Sequence, residues 1–275
     1  MDRLGIDHLT VLGLPPVQFV QLAAALGCRN ISTVFRTGAN PLGYPAYDLA
    51  EDAPLRREMI AAMRDLGVSI SLFESIVVRR GGDIRDRAPD LAILLELGVT
   101  RASILSFDPD LPRTLDQFAL FAEMAAPAGI EIVLEFAPAL SVPDLATAVR
   151  AVRHVGRPGF KLLIDTMHLA RTGGTAADLA ALAPDLIGYI QLCDVPLMGT
   201  DPNYLHEATT ARLAPGEGEL PLFDFLAAMP RDLVVGLEVP QVAKALAGEG
   251  PHERVGAVVT AARALLGRLP AERVG

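Results

Sequence analysis

The sequence predicts an α/β protein, a (β/α)8 TIM barrel that forms a single domain over residues 1–275. Short apolar or β-branched runs alternate with Ala/Leu-rich amphipathic segments along the chain, a pattern typical of repeated βα units. No linker or low-complexity stretch divides the sequence, and eight such units fit its length. The alternative is an open doubly wound sheet, but the glycine-rich nucleotide turn typical of such sheets does not occur in the sequence.

Apolar runs define the strands, and proline and glycine mark the helix ends. Pro15 begins the first helix, and Gly27 and Gly98 stop the first and third. Strands are predicted at residues 7–12, 30–35, 69–75, 101–107, 131–136, 160–165, 186–192 and 233–239. Helices are predicted at residues 15–26, 54–66, 86–97, 113–128, 142–155, 176–182, 222–228 and 252–269.

The composition of the chain limits the kinds of partner that we expect the protein to bind. The formal net charge is −9, whereas a nucleic-acid surface needs clustered Lys and Arg, so we expect no nucleic-acid partner. No apolar run is long enough to cross a bilayer, and the first residues lack the features of an export signal. The only cysteines are Cys28 and Cys193, which excludes a disulfide framework and favours a cytoplasmic protein.

Four successive strands in the second half each end on an oxygen-bearing side chain. "VLEF" ends the fifth strand with Glu135, "KLLID" the sixth with Asp165, "YIQLCD" the seventh with Gln191 and Asp194, and "GLEVP" the eighth with Glu238. In a barrel the carboxyl ends of the strands meet at one mouth, where catalytic residues lie. Side-chain alternation places Glu135, Asp165, Gln191 and Glu238 on the barrel-lining face. We therefore expect these four groups to converge.

Three carboxylates held close together repel one another and take up protons unless a cation neutralises them. The sequence therefore predicts a divalent metal held by Glu135, Asp165, Gln191 and Glu238. An all-oxygen set of this kind suits Mn²⁺ or Mg²⁺ better than Zn²⁺. The alternative for any one of these acids is a structural role; Asp165, for example, would cap the turn that follows it.

Other polar residues around the predicted mouth are candidates for substrate binding. Arg212 and His206 lie in the loop "LHEATTARLAPGEGELPL", and a guanidinium there suits anionic or polyhydroxy groups. Arg36 and Glu74 follow the apolar ends "VFR" and "LFES" of the second and third strands. Alternatively, these four residues do not contact a substrate: Arg212 and His206 would be solvated loop residues, and Arg36 and Glu74 would pack at the rim of the barrel.

The ordered motifs "VLEF", "IDTMH", "YIQLCD", "APGEGELPL" and "GLEVP" resemble the xylose isomerase-like barrel superfamily, in its sugar phosphate isomerase/epimerase branch. The resemblance covers essentially the whole chain and is not specific to a substrate. It implies the same four metal ligands and adds His168 as a substrate contact. The family usually has histidine where this chain has Gln191, which is a departure. Dimers and tetramers are common in the family, so a homo-oligomer is also implied.

We therefore expect a divalent-metal-dependent isomerase or epimerase that acts on a small polyhydroxy carbonyl compound, a ketose or cyclitol ketone. The metal would stabilise an enediolate, and Glu135 and Glu238 would transfer the proton. The same groups support loss of water, so a dehydratase of a hydroxy ketone, such as an inosose or a dehydroshikimate-like compound, is the alternative. A non-catalytic binding or accessory subunit is an alternative of another class. Five histidines and a charge of −9 disfavour an abasic-site endonuclease.

Overall fold

Eight parallel strands form a closed barrel in chain order, and β8 pairs with β1 to close it. The structure is a computed structural model that describes residues 3–38, 40 and 42–270. The strands are β1 Leu4–Ile6, β2 Asn30–Thr33, β3 Ser69–Val78, β4 Arg101–Ser106, β5 Glu131–Glu135, β6 Phe160–Asp165, β7 Ile187–Leu192 and β8 Val235–Leu237. The prediction of a (β/α)8 barrel is confirmed.

Helices surround the barrel. They are α1 Pro16–Ala25, α2 Ala53–Leu66, α3 Ala88–Glu96, α4 Leu111–Ala125, α5 Leu145–Val155, α6 Thr166–Arg171, α7 Ala176–Ala180, α8 Tyr204–Thr210, α9 Leu222–Ala228, α10 Val242–Leu246 and α11 Pro251–Gly267. Three short ones, α6, α8 and α10, lie where the sequence pattern gave no helix. They have five to seven residues and lie in the segments that follow β6, β7 and β8, which the sequence pattern assigned to loops.

Helix α5 shows how local sequence sets these elements. The Asp144 side chain accepts a hydrogen bond from the backbone N–H of Thr147 at 2.7 Å, which caps the helix start. Gly156 ends the helix at φ 61°, a left-handed conformation that glycine adopts without a steric cost. Between them, apolar residues recur on the face that packs on the barrel.

The first strand lies earlier than predicted. It covers Leu4–Ile6, whereas the alternation of residues 7–12 favoured a strand there. Asp7 instead opens a turn, in which its Oδ1 accepts a hydrogen bond from the Leu9 N–H at 3.1 Å. Leu12 and Gly13 both have positive φ, 53° and 84°, which no strand residue adopts. As a result Asp7 lies at the carboxyl end of β1, at the barrel mouth.

The barrel interior contains a separate apolar layer of Leu72, Val133, Leu163 and Tyr189. Three of its members precede the predicted ligands on β5, β6 and β7 by two residues. Since side chains alternate along a strand, the next inward positions belong to Glu135, Asp165 and Gln191. Hydrogen-bonded register confirms that Asp165 and Gln191 are neighbours across β6 and β7.

Gly236 on β8 faces this layer. Tyr189 packs so closely against it that a side chain at this position would collide with the tyrosine. An added Cβ would lie 2.9 Å from the Tyr189 hydroxyl oxygen and 3.0 Å from its ring. Gly236→Ala should therefore lower the free energy of unfolding by about 1–3 kcal/mol, the usual cost of overpacking a core. Urea denaturation followed by circular dichroism measures it.

Gly159→Ala is the matched control, because nothing lies within 4 Å of its added Cβ. It should stay within about 0.5 kcal/mol of the parent protein. Equal effects at the two positions would contradict the packing explanation.

In the part of the chain that the structure describes, no helix combines the length and the apolar character that a membrane span requires.

Candidate active site

Asp165 ends β6 and caps α6. Its Oδ1 accepts a hydrogen bond from the backbone N–H of His168 at 2.8 Å. Its other oxygen, Oδ2, lies 2.5 Å from Nη1 of Arg212. The cap thus fixes the direction of the carboxylate and leaves one oxygen to face the barrel mouth.

Arg212 comes from the loop between α8 and α9 and lies between two carboxylates. Its backbone N–H donates to the Pro240 carbonyl at 3.0 Å, which ties the loop to the end of β8. Its Nη1 lies 2.5 Å from Asp165 Oδ2 and 2.6 Å from Glu238 Oε2. The guanidinium is buried, so these two pairs are shielded from solvent.

The two carboxylates on Arg212 have opposite pKa shifts. Burial opposes ionisation of Asp165, but the positive charge of Arg212, together with His168 and the hydrogen bond to Glu238, holds the pKa of Asp165 below its usual range. Burial also dominates at Glu238 and, with the negative charges of Asp7, Asp165 and Glu74, raises its pKa well above the usual range despite Arg212. One guanidinium does not compensate all of the negative charge here.

Asp194, which follows β7, holds the loop that carries Arg212. Its two carboxylate oxygens accept hydrogen bonds from the backbone N–H groups of Leu220 at 3.1 Å and Gly216 at 2.9 Å. A Cβ on Gly218 would lie 2.4 Å from Asp194 Oδ1, so glycine is required there. The "APGEGEL" motif therefore has a structural role, because its backbone binds Asp194 and this holds the loop in place.

Glu135 and His168 are on the other side of Asp165. His168 Nε2 lies 3.4 Å from Glu135 Oε1, and its Nδ1 lies 2.5 Å from the Tyr204 hydroxyl oxygen. His168 is buried, with 6% of its side chain exposed, whereas Glu135 has 13% exposed. The structure thus links Glu135, His168, Asp165, Arg212 and Glu238 in one chain of contacts.

Gln191 turns away from this group. Its Nε2 donates to Asp7 Oδ2 at 3.1 Å and to Glu74 Oε2 at 3.4 Å. Its Oε1 is buried and has no hydrogen-bond partner among the described residues. A buried amide oxygen without a partner is costly, and it marks this position as one where a further group would bind.

Asp7, His8 and Glu74 form a second polar cluster, on the β1–β3 side of the mouth. His8 Nδ1 lies 3.0 Å from Glu74 Oε1 and 3.2 Å from Asp7 Oδ1. Burial opposes charging of His8, but the charge of Glu74 and the hydrogen bond to Asp7 raise its pKa to about 10. Burial and the charge of Asp7 raise the pKa of Glu74 to about 8.

Asp7 and His8 were not predicted from the sequence as site residues. The signal was present in "GIDH", where an apolar run ends on an acid and a histidine, as it does in "IDTMH". It was hidden because the strand was predicted to begin at Asp7, which would put that residue at the opposite end of the barrel.

A cavity of about 760 Å³ opens beside this second cluster. His8 and Glu74 line it, together with Phe35, Phe73 and other residues. The predicted substrate contacts Arg36 and His206 are also in its wall, where each is paired, Arg36 with Asp48 at 2.5 Å and His206 with Asp201 at 2.7 Å.

The carboxylates among the four predicted metal ligands are spaced differently from the Asp7, His8 and Glu74 cluster. Glu135, Asp165 and Glu238 are not among the groups of three whose ligand atoms all lie within 4.8 Å; within the described residues only Asp7, His8 and Glu74 form one. Arg212 is within 2.6 Å of both Asp165 and Glu238, where the ion was expected. The assignment of Mn²⁺ or Mg²⁺ to these four residues stays a prediction.

A family model described as the xylose isomerase-like TIM barrel matches residues 20–256 of the chain. The chain belongs to the xylose isomerase-like TIM barrel family. The resemblance inferred from the strand-end motifs is therefore confirmed. Within this family the chain has a guanidinium between Asp165 and Glu238, and Gln191 facing the first strands.

Three proteins are similar to this family member. The 3-dehydroshikimate dehydratase of Pseudomonas putida is 25% identical over 227 residues, which cover 72% of this chain and 35% of that protein. The chain thus spans about a third of the length of this relative. The crystal structure of the IolI protein with a bound zinc atom has a TM-score of 0.80 at 16% identity, covering 98% of this chain and 100% of that one. D-psicose 3-epimerase in the presence of D-fructose has a TM-score of 0.73 at 16% identity, covering 96% and 99%. At 16% identity, the likeness to the IolI and D-psicose 3-epimerase structures shows a shared fold.

Proposed function

We propose that the protein is an isomerase or epimerase that moves a proton on a small polyhydroxy carbonyl compound, a ketose or a cyclitol ketone. One observation supports this most directly: four buried carboxyl groups, Asp7, Glu74, Asp165 and Glu238, lie at the carboxyl ends of the barrel strands, and one of them, Glu74, lines a cavity. Buried acids in a cleft, with pKa values pushed apart by their surroundings, are typical of proton-transfer sites.

Two carboxyl groups suit the two halves of a proton transfer. Glu135 is partly exposed at the mouth and would remove the proton next to the carbonyl. Glu238 is buried, and its raised pKa favours the protonated form, so it would return a proton. These two roles are proposals from the sequence that the placement of the residues supports.

The remaining polar residues would orient the substrate. His168 lies between Glu135 and Tyr204, so its position is fixed by both neighbours. Arg212 neutralises Asp165 and keeps Glu238 in place from a loop tied to β8. Arg36, His206 and Glu74 line the cavity and would contact hydroxyl groups of the compound.

The experiment is an exchange measurement in D₂O. The full chain is incubated with candidate ketoses and cyclitol ketones, and incorporation of deuterium next to the carbonyl is followed by NMR. We expect exchange without loss of water, because proton transfer alone returns the carbon skeleton intact. A protein that exchanges no C–H proton in any polyhydroxy carbonyl compound would overturn the proposal.

A dehydratase is the second candidate, and the 25% identical dehydroshikimate dehydratase favours it. Removal of the same proton followed by departure of a β-hydroxyl group gives an enone, with the proton of the first step and the hydroxide leaving as water. An inosose or a dehydroshikimate-like compound is the corresponding substrate. Growth of an enone absorbance during the same incubation would select this reaction over epimerisation.

A further inference from the structure

The cluster of Asp7, His8 and Glu74 has the composition and spacing of a metal site. Its three ligand atoms all lie within 4.8 Å of one another. Ligands bound at about 2.0–2.2 Å to one ion are themselves separated by about 3–4.4 Å, so only small movements are needed to enclose an ion. We propose that these three residues and Gln191 form a divalent-cation site on the β1–β3 side of the mouth, which shares Gln191 with the four ligands predicted from the sequence but does not include Glu135, Asp165 or Glu238.

Gln191 gives an independent reason to place an ion here. Its side chain is fully buried, its amide already faces Asp7 and Glu74, and its Oε1 has no partner among the described residues. A half-turn of the amide would exchange Nε2 and Oε1 and direct the unpaired oxygen at the cluster. The ion would then bind this oxygen, which has no hydrogen-bond partner among the described residues, in place of the two bonds that Nε2 makes to Asp7 and Glu74.

Charge also favours this position over the one between Asp165 and Glu238. No arginine or lysine pairs with Asp7 or Glu74 in the described part of the chain, and one imidazole is their only basic partner. Buried charges in proteins are paired or bind metals. Asp165 and Glu238, in contrast, already share the guanidinium of Arg212.

The ligand types and the access indicate what the site would bind. One imidazole nitrogen with carboxylate and amide oxygens suits Mn²⁺, Fe²⁺ or Zn²⁺ better than Mg²⁺. His8 and Glu74 line the cavity, so the ion would keep an open position toward a bound compound, as catalytic metal sites do. The inference depends on ligand geometry and stands without the proposed reaction.

The test uses the untagged full chain after removal of metals with a chelator. Mn²⁺ affinity and stoichiometry are measured from the EPR signal of the free ion, and Cu²⁺ then serves as a probe for pulsed EPR. We expect one ion whose spectrum shows a coordinated imidazole nitrogen. His8→Gln should abolish that nitrogen signal and weaken Mn²⁺ binding by at least about 10-fold, the loss that changes even outside the ligand shell can cause.

His206→Gln is the matched control, because this exposed histidine lines the same cavity and should leave both readouts unchanged. Glu74→Gln provides a second ligand variant with the same expected loss of affinity, should His8→Gln fail to fold. The inference is overturned if the parent binds no ion. It is also overturned if the spectrum of the bound ion shows no coordinated nitrogen and the Mn²⁺ affinity falls in Glu135→Gln but not in His8→Gln. A histidine-bound ion without any C–H exchange would contradict the proposed reaction alone.

Discussion

Arg212→Met should lower the free energy of unfolding by about 3–5 kcal/mol, the usual cost of removing one partner of a buried charge pair. The guanidinium has 2% of its side chain exposed and pairs with Asp165 at 2.5 Å and Glu238 at 2.6 Å. Without it, the buried Asp165 carboxylate is left beside the Glu238 carboxyl group with no guanidinium to neutralise it. Urea denaturation followed by far-UV circular dichroism measures the change, since the chain has no tryptophan for fluorescence.

Arg36→Met is the control for this prediction. Arg36 also pairs with an acid at 2.5 Å, Asp48, but 55% of its side chain is exposed. Exposed pairs contribute little, so this variant should lose less than about 1 kcal/mol. A similarly small loss from Arg212→Met would show that the buried pair does not support the fold.

The Arg212→Met variant also tests the metal ligands predicted from the sequence. If Glu135, Asp165, Gln191 and Glu238 can hold an ion, Mn²⁺ should raise the denaturation midpoint of the variant, because an ion bound only to the folded state stabilises it. If Mn²⁺ raises the midpoint of the parent and the variant equally, the ion binds elsewhere. The Asp7–His8–Glu74 cluster is then the candidate, and His8→Gln should remove the shift.

The fold could be predicted because it depends on periodicity. The apolar run at residues 160–165 is bounded by Gly159 and ends at an acid, and the structure has β6 over the same residues, Phe160–Asp165. Residues 7–12 show where the method fails. Leu9 and Val11 alternate as in a strand, but they lie in a turn capped by Asp7, where Val11 is buried and Leu9 is half-buried.

The convergence of strand ends at the mouth was also predictable, but the pairing among them was not. Arg212 meets Asp165 from 47 positions along the chain, through a loop whose course depends on Asp194 and Pro240. Local sequence patterns do not predict the course of this loop, so they do not predict the pairing of Arg212 with Asp165. Similarly, periodicity places Gln191 on the inward face but cannot say which neighbour its amide faces, since that choice depends on Asp7 and Glu74.

Together these contacts divide the mouth into two charge systems. One contains Asp165 and Glu238 with the fixed cation Arg212, and the other contains Asp7 and Glu74 with His8. Gln191 joins the second system although its strand lies beside β6 of the first. The two charge systems therefore meet at Gln191.

Glu135→Gln and Glu238→Gln should each lower the rate of C–H exchange by about 10²–10⁴-fold, the usual contribution of a general acid or base. Glutamine keeps the size of the side chain but can neither take up nor release the proton. Because neither change removes a substrate-binding surface, we expect the loss in kcat rather than in KM. The measurement is deuterium incorporation into whichever compound the parent protein exchanges, with denaturation midpoints confirming that both variants are folded.

Glu131→Gln is the matched control, the same substitution at the opposite end of β5. Glu131 pairs with Arg101 and Lys161 at 2.6 and 2.7 Å, away from the mouth, so its loss should leave exchange unchanged. Glu74→Gln separates the two charge systems. If it abolishes exchange while Glu135→Gln and Glu238→Gln keep full activity, proton transfer belongs to the cluster beside the cavity, and the two-carboxylate mechanism predicted from the strand ends is wrong.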